Sequence, residues 1–417
     1  MRTDGRGGRR LGGVVSAVAL AVVALLLAFA CVQAALVRAL PAATPVLTGL
    51  APHDPDVVIS RAVLALVAQR GILSPEMLAD VRHAVRRAPL DARGYVVLGH
   101  QQLLDGTPGR AVKTLEAGQK LDPRNRLIHL LLLDRYLRTN RYADAAHQFA
   151  VSARLVGPAQ AAIAKAMAQM SIAPDTREAV RRTLAGDAAL ERAVLITLAR
   201  SDTPPATIFA LASPAARRDA RTPDSWGPPL IARLAEQGRY GAARAVWRTV
   251  YGLTPAQVAT PVFDAGFAEL PGSAPFNWTL TASGLGAADM LNGTLSVNYY
   301  GRDTGTLAQQ LLVLAPGAYR FAVTVEGAKT GTGPFLSWSL RCAARGKGAP
   351  GPELMNLAAT ATGTPHRVAA AFTVPAGCPA QQLTLIGTAG EFPAPVTLTL
   401  SKLDLAPATS IPGGTAR

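Results

Sequence analysis

The spacing of apolar residues changes twice along the chain, and each change predicts a different kind of structure. Residues 11–37 form an apolar run without a charged residue. From about residue 54 to residue 251, apolar residues recur at helical spacing after N-caps such as Asp54-Pro55 and Ser74-Pro75. Beyond residue 262, apolar and polar residues alternate between turns rich in Gly and Pro, which predicts β-strands.

The apolar run at 11–37 is predicted to be a transmembrane anchor. As a helix it would be about 40 Å long, which exceeds the roughly 30 Å of a bilayer core. The preceding residues 1–10 contain four arginines, and such a basic flank is retained in the cytoplasm. We therefore expect a single pass through the bacterial inner membrane, with the bulk of the chain in the periplasm.

Two other fates of this segment stay open. Ala28-Phe29-Ala30 is an Ala-x-Ala site for signal-peptide cleavage, although the apolar core exceeds the usual length of about 7–15 residues. Lipidation at Cys31 is the second alternative, although the bulky Phe29 fits a lipobox poorly and the apolar run continues past the cysteine. An uncleaved anchor is the interpretation that we carry forward.

Helical hairpins repeat in the middle region. The first unit, residues 94–123, places large and small residues at fixed positions: Tyr95, Leu98, Gly99, Ala111, Leu115, Gly118 and Pro123. A second unit follows 34 residues later with Leu132, Leu133, Tyr136, Ala145, Phe149 and Ser152. A weaker third unit covers 225–251, with Leu230, Leu234, Ala243 and Trp247 in corresponding places. These spacings resemble the tetratricopeptide repeat.

The resemblance implies a curved stack of helix pairs that presents a concave surface to a protein segment. It holds for about 65 residues, whereas residues 159–222 look helical and match no unit. We expect Tyr95, Tyr136 and Trp247 to lie between helices and not to contact a ligand. A spacer that packs against the C-terminal domain is the alternative interpretation of the stack.

Eight alternating runs follow a linker at residues 252–261 and predict an antiparallel β-sandwich. They are 276–282, 294–300, 307–314, 318–325, 335–342, 367–374, 381–386 and 394–405. The Pro316-Gly317 pair suits a type II turn. We therefore predict that residues 306–327 form one hairpin.

This region resembles the jelly-roll or galactose-binding-like sandwiches of many carbohydrate-binding modules. Three places carry the resemblance: residues 263–280 (FDAGFAELPGSAPFNWTL), Gln309 and Gln310 before LLVLAPGAYRF, and the closing VTLTLSKLDL. It covers about 145 residues and implies contact with a glycan, although the fold itself hosts many functions.

A sugar site needs an exposed aromatic ring beside polar side chains. Trp278, Trp338 and Tyr299 share strand faces with apolar residues, so they are predicted to be core. Tyr300 has the opposite parity and precedes a polar turn. The candidate glycan-binding residues are therefore Asn298, Tyr300, Arg302 and Asp303, and a solvated strand end is the alternative.

Cysteine and histidine usage predicts one structural bond and no cofactor. Cys342 and Cys378 are expected to form a disulfide in an oxidising compartment, with a free buried pair as the alternative. A metal site is not expected, because these cysteines and His366 lack the close spacing of metal ligands.

Candidate catalytic residues are missing from the sequence as well. It contains no nucleophile elbow, HExxH motif, phosphate loop or dinucleotide fingerprint. The carboxylates of the strand region show no paired motif for glycoside hydrolysis. We therefore expect that the protein is not an enzyme.

The net charge of +15 is unevenly distributed. Residues 41–259 carry 28 Lys and Arg against 18 Asp and Glu, whereas residues 260–417 carry 9 against 8. The arginines are dispersed over many helices without interleaved aromatics, so we predict no nucleic-acid partner.

Together these patterns predict a multidomain α + β protein with a transmembrane helix, a tetratricopeptide-like stack and a jelly-roll sandwich. We expect a non-catalytic periplasmic accessory protein in cell-surface polysaccharide synthesis or export, whose repeats dock a protein while the sandwich contacts glycan. A scaffold that binds only proteins and a glycan-active enzyme are the alternatives. The predicted parts are residues 1–10 (cytoplasmic tail), 11–37 (anchor), 54–251 (repeats), 252–261 (linker), 262–406 (sandwich) and 407–417 (flexible tail).

Overall fold

A computed structural model describes residues 49–68, 71–155, 157, 160–328, 333–343 and 351–408, with isolated positions between 24 and 44. The N-terminal tail, most of the predicted anchor and nearly all of the C-terminal tail lie outside these residues. No helix within the described ranges combines the length and apolar character needed to cross a membrane. The chain divides into two compact units, residues 1–163 and 164–417.

The first unit is built from short helices, some of which begin at side-chain caps. They are α1 (Pro55–Ala68), α2 (Pro75–Arg87), α3 (Ala92–Leu104), α4 (Pro108–Leu121), α5 (Arg126–Arg138) and α6 (Tyr142–Leu155), and α7 (Gln160–Ile172) spans the division. The Ser74 hydroxyl accepts the Met77 N–H at 3.2 Å, and Asp91 and Asn125 cap α3 and α5 in the same way.

Small residues allow the helices of each repeat to approach closely. A Cβ added at Gly99 would lie 2.6 Å from the Leu115 side chain, and one at Gly118 would lie 2.8 Å from Cβ of Tyr95. Leu115 and Tyr136 are buried between the helices, whereas Tyr95 is half-buried. The helical repeat is therefore confirmed for the first two units, α3–α4 and α5–α6.

The second unit begins with further helices: α8 (Pro174–Leu184), α9 (Ala188–Arg200), α10 (Pro205–Leu211), α11 (Pro214–Arg218), α12 (Gly227–Glu236) and α13 (Tyr240–Tyr251). The last pair coincides with the third predicted repeat, and its Leu230, Leu234 and Ala243 are fully buried. The Trp247 ring of α13 packs edge-on against Phe263 at 4.8 Å, and its Nε1 donates to the Ser273 carbonyl oxygen at 3.0 Å. Helix α13 therefore rests directly on the first residues of the strand region.

An antiparallel β-sandwich forms the rest of this unit. Its strands are β1 (Thr279–Leu280), β2 (Ala282–Ser283), β3 (Gly286–Leu291), β4 (Thr294–Tyr299), β5 (Gly305–Leu312), β6 (Gly317–Gly327), β7 (Phe335–Cys342), β8 (Glu353–Ala358), β9 (His366–Val374), β10 (Gln381–Thr388) and β11 (Val396–Pro407). One sheet has the order β1-β5-β10-β7-β8 and the other β2-β3-β4-β11-β6-β9. This confirms the predicted antiparallel sandwich, while its assignment as a jelly roll stays a prediction.

The core between the sheets contains the aromatic residues that strand parity assigned to it. Trp338, Tyr299 and Phe321 are at most 1% exposed, and Trp278 is also buried. A disulfide joins Cys342, at the end of β7, to Cys378, just before β10. The boundaries of the predicted domains, including the linker at 252–261, stay a prediction.

The predicted hairpin at 306–327 is wrong. β5 pairs with β1 and β10, whereas β6 pairs with β9 and β11 in the opposite sheet. Gly317 starts β6 at φ +154°, far from the roughly +80° of a type II turn. Alternation shows which side chains face the core, but each sheet buries one face, so alternation does not identify the neighbouring strand. The sequence reading also missed β3 and β8.

Candidate functional site

The sequence-predicted glycan cluster lies at the end of β4. Asn298 is exposed on the outer face of the six-stranded sheet, where its Oδ1 accepts the Thr397 hydroxyl at 3.5 Å. Tyr300 follows the strand with 40% of its surface exposed. Arg302 and Asp303 are exposed in the adjoining turn. Three of the four residues therefore belong to the strand end and turn, and only Asn298 belongs to the sheet face.

Hydrogen bonds to backbone groups hold this turn in place. The Tyr299 hydroxyl donates to the backbone oxygen of Asp303 at 2.8 Å, and the Tyr300 N–H donates to Leu285 at 3.1 Å. Gly301 has φ +75°, and a Cβ there would collide with the carbonyl oxygen of Ala394. Among the hydrogen bonds and ion pairs of the described residues, none joins two of the four predicted side chains. The cluster stays a prediction.

A different set of polar side chains crosses the outer face of the five-stranded sheet. The strand register places one residue from each strand in a single row: Thr279, Gln309, Thr384, Ser339 and Asn356. The strands are about 4.8 Å apart, so this polar row extends over about 19 Å. It contains two amides and three hydroxyls, groups that both donate and accept hydrogen bonds.

The polar row is recessed at Ser339, its fourth residue. Ser339 is 1% exposed and Ser337, on the same face, is 5% exposed, although both point away from the core. Serine side chains are short, so they lie below longer neighbours such as Gln382 and Arg341. Ser337 and Ser339 are thus the recessed part of this face, whereas Thr279 and Asn356 are exposed and Gln309 and Thr384 are half-buried.

Hydrogen bonds fix one end of the polar row. The Glu353 carboxylate accepts from the Ser339 hydroxyl at 2.8 Å, from Nη2 of Arg341 at 3.1 Å and from the Asn356 amide at 3.5 Å. The Ser339 bond and the positive charge of Arg341 hold the pKa of Glu353 below its ordinary value. Glu353 is therefore ionised at neutral pH and acts only as an acceptor.

The sequence pointed to only one residue of the polar row. Of the two glutamines that carried the family resemblance, Gln309 lies in the row. Gln310 is buried, and its amide exchanges two hydrogen bonds with the backbone of Phe263, at 3.1 Å and 2.9 Å. The remaining members lie on strands far apart in sequence, and β8, which supplies Asn356, was missed.

The first unit contains a second candidate surface, an apolar groove of about 410 Å³. Side chains from α1, α3 and α5, the alternate helices of the stack, line most of it: Val63, Leu66, Val96, His100, Leu127, Leu130 and Leu131. Leu127 and Leu130 are 50% and 55% exposed. Nε2 of His100 is buried without a hydrogen-bond partner, and Gly71 lies against it because a Cβ there would approach it to 2.6 Å. The groove thus combines exposed leucines with one unsatisfied polar atom.

Within the described ranges, no group of three or more His, Cys, Asp or Glu residues is placed so that it could hold a metal ion.

Comparisons with known proteins show similarity to parts of the fold. Neither a family model nor a curated protein sequence matches the chain. A CBM4 structure is similar at 16% identity, covering 35% of this chain and 99% of that domain, with a TM-score of 0.27. TmCBM61, solved with β-1,4-galactotriose, is similar at 12% identity, covering 36% of this chain and 97% of that one, with a TM-score of 0.23. Yeast Tom70 is similar at 16% identity, covering 50% of this chain and 45% of its own length, with a TM-score of 0.25. Likenesses this low do not identify a ligand or a partner.

Proposed function

We propose that the protein is a non-catalytic binding protein of the bacterial cell envelope. In this proposal the sandwich contacts a glycan through the polar row, and the helical repeats dock a protein segment through the apolar groove. The observation that carries the proposal is the register that places five hydrogen-bonding side chains in one row across the outer face of the five-stranded sheet.

A glycan suits the polar row because each sugar hydroxyl donates and accepts. The row combines two amides with three hydroxyls, and Glu353 and Arg341 add a fixed acceptor and a fixed donor beside it. Hydrogen bonds with the ionised Glu353 are stronger than neutral ones. Glu353 is the one carboxylate among the named positions on this face, whereas glycoside hydrolysis requires a facing pair. The arrangement therefore favours binding over turnover.

Affinity electrophoresis of the full chain through gels that contain envelope polysaccharides tests the glycan contact. We expect retention of the wild type and weaker retention of Thr384→Val, which removes a central hydroxyl while keeping the side-chain shape. Tyr300→Ala is the matched control on the sequence-predicted cluster. Retention lost in Tyr300→Ala but kept in Thr384→Val would move the contact to that cluster, and no retention on any polysaccharide would remove the glycan contact.

The apolar groove favours an apolar segment of a partner protein that carries one hydrogen-bonding group. The exposed leucines supply the apolar contact, and the unsatisfied Nε2 of His100 accounts for the polar group. Crosslinking of the full chain in membranes should yield a partner that Leu130→Asp loses and Leu90→Asp keeps, since Leu90 is 80% exposed and does not line the groove. Capture that both variants retain would exclude the groove as the docking surface.

We further propose that the chain is anchored by residues 11–37 in the inner membrane and acts in polysaccharide synthesis or export. The Cys342–Cys378 disulfide supports an oxidising compartment. A reporter fused after residue 50 should be active only on the periplasmic side, and cytoplasmic activity would overturn this placement. A purely structural scaffold would keep its protein partner and retain no polysaccharide.

A further inference from the structure

A second cleft, of about 440 Å³, lies between α13 and the sandwich within the second unit. Four residues of α13 at helical spacing form one wall: Gly241, Arg244, Ala245 and Arg248. Residues 258–261, 313–315, Tyr319 and Pro407 form the opposite wall. Trp247 packs against Phe263 on the neighbouring face of the helix, so α13 is fixed against the sandwich where the cleft forms.

Both cations of this cleft lack a carboxylate partner among the described residues. Arg244 is half-buried, and its one described hydrogen bond runs from Nη1 to the Val313 carbonyl oxygen at 3.4 Å. Arg248 lies one helical turn further along the same face and is exposed. Burial lowers the pKa of Arg244, and the charge of Arg248 acts in the same direction. The lining residues include no acid.

Several other arginines of the described helices have carboxylate partners, and others donate to backbone carbonyl oxygens as Arg217 does to Phe209. Arg93 pairs with Asp56 and Asp91, Arg181 pairs with Glu178, and Arg192 pairs with Asp224. A guanidinium is not deprotonated in proteins, so Arg244 cannot relieve the cost of burial by losing its charge. Removing a charge from water without a counter-charge is unfavourable. An anion that enters the cleft would supply that counter-charge.

We propose that this cleft binds the oxyanion group of a small ligand, a carboxylate, sulfate or phosphate, between Arg244 at its base and Arg248 at its mouth. The planar guanidinium presents paired N–H groups that match an oxyanion in bidentate geometry. The volume lies in the range of small-molecule sites. Val258, Pro261 and Leu314 offer apolar contact to the body of the ligand. This site is separate from the polar row, and its test does not depend on glycan binding there.

Calorimetric titration and thermal unfolding of the full chain test the site with four probes. Sodium sulfate, inorganic phosphate and glucuronate carry the oxyanion, and glucose is the uncharged control. We expect saturable binding of at least one oxyanion and none of glucose. Preference for glucuronate would identify a sugar acid as the ligand, and preference for sulfate or phosphate would identify an inorganic or ester oxyanion.

Charge removal should weaken that binding. Arg244→Met and Arg248→Met should each raise the Kd about ten-fold or more, since each removes a charge-assisted hydrogen bond. Arg200→Met, which alters an exposed arginine at the end of α9, should leave the Kd unchanged. Without ligand, Arg244→Met should unfold at an equal or higher temperature than the wild type, because it removes a half-buried charge that has no carboxylate partner.

Three results would overturn the site. One is that no oxyanion binds saturably to the wild type. Another is that the Kd is the same in the Arg248→Met variant, whose exposed position keeps the test valid if Arg244→Met folds poorly. The third is that Arg200→Met weakens binding as much as Arg248→Met does, which would show a general response to net charge.

Discussion

The two outer faces of the sandwich are both polar, yet they differ in depth. On the six-stranded sheet, Ser296, Asn298 and Thr397 are all exposed to solvent. On the five-stranded sheet, Ser337 and Ser339 are almost fully buried, although they also point away from the core. An exposed polar face needs no explanation beyond solvation. We therefore place the proposed glycan contact on the five-stranded face, where part of the polar row is buried.

The face of a strand on which a side chain lies (its parity) and the extent to which that side chain is buried (its depth) have different physical causes. Parity depends on the neighbours in sequence, and it placed Tyr300 and Asn298 away from the core. Depth depends on which strands lie alongside and how long their side chains are. The residues predicted from sequence, Asn298 and Tyr300, lie on or beside the six-stranded face because polar and aromatic side chains are adjacent there in one short stretch.

The largest effect is expected from a substitution in the core that lies beneath both faces. Trp338→Ala should lower the free energy of unfolding by about 3–5 kcal/mol, because it deletes a fully buried ring between the sheets. Trp338→Phe is the matched control and should cost much less, since Nε1 of Trp338 is buried without a partner and its loss is favourable. Urea unfolding of the full chain measures both. A loss below about 1 kcal/mol for Trp338→Ala would contradict the shared core.

The next largest effect is expected from a pair of substitutions that tests which outer face binds the polysaccharide. Ser339→Leu places a bulky side chain in the polar row and should weaken retention on the bound polysaccharide about ten-fold or more, since it blocks access to Thr384 and Asn356 on either side and removes a bond to Glu353. Ser296→Leu makes the same change on the exposed face and should leave retention unchanged. Affinity electrophoresis of the two variants decides between the faces. Equal retention in both variants would mean that the recess is not used.

The sequence predicted much of this fold because the governing signals are local. Helix caps, the small residues Gly99 and Gly118, and the strand parity of Trp338 and Tyr299 are each set within a few residues. The disulfide partners could be paired because only Cys342 and Cys378 lie in the strand region. None of these features depends on the order of the strands in the sheets.

The pairing of strands and the polar row could not be predicted in the same way. β5 and β6 are adjacent in sequence but lie in opposite sheets, so the hairpin prediction was wrong. The polar row joins Thr279 to Asn356 across strands separated by long stretches of chain. Arg244 and Val313 meet across about seventy residues, so the cation cleft had no local signal either.

A smaller effect concerns pH. The pKa of Glu353 is lowered in the folded state, chiefly by the Ser339 hydroxyl. Its stabilising contribution is therefore present above the ordinary glutamate pKa of about 4.3 and is lost as the pH falls through the lower folded value. The stability difference between wild type and Glu353→Gln should accordingly shrink as the pH falls below about 4.3 in urea unfolding. A difference that grows on acidification would contradict this hydrogen bond.

The smallest effect is expected at the exposed face. Asn298→Ala removes only a long hydrogen bond to Thr397 and should change the free energy of unfolding by less than about 0.5 kcal/mol. Thermal unfolding at neutral pH is the measurement. A loss above about 1 kcal/mol would show that the exposed face is more tightly coupled than its geometry indicates.

The most direct test of the central claim follows side-chain amide NMR signals of the full chain during titration with an oligosaccharide from the retained polysaccharide. Gln309 and Asn356 report on the polar row, and Asn298 reports on the exposed face. We predict that the Gln309 and Asn356 amide signals shift with saturation while those of Asn298 stay in place. Shifts at Asn298 without shifts at Gln309 and Asn356 would contradict the assignment of the recessed face as the glycan site.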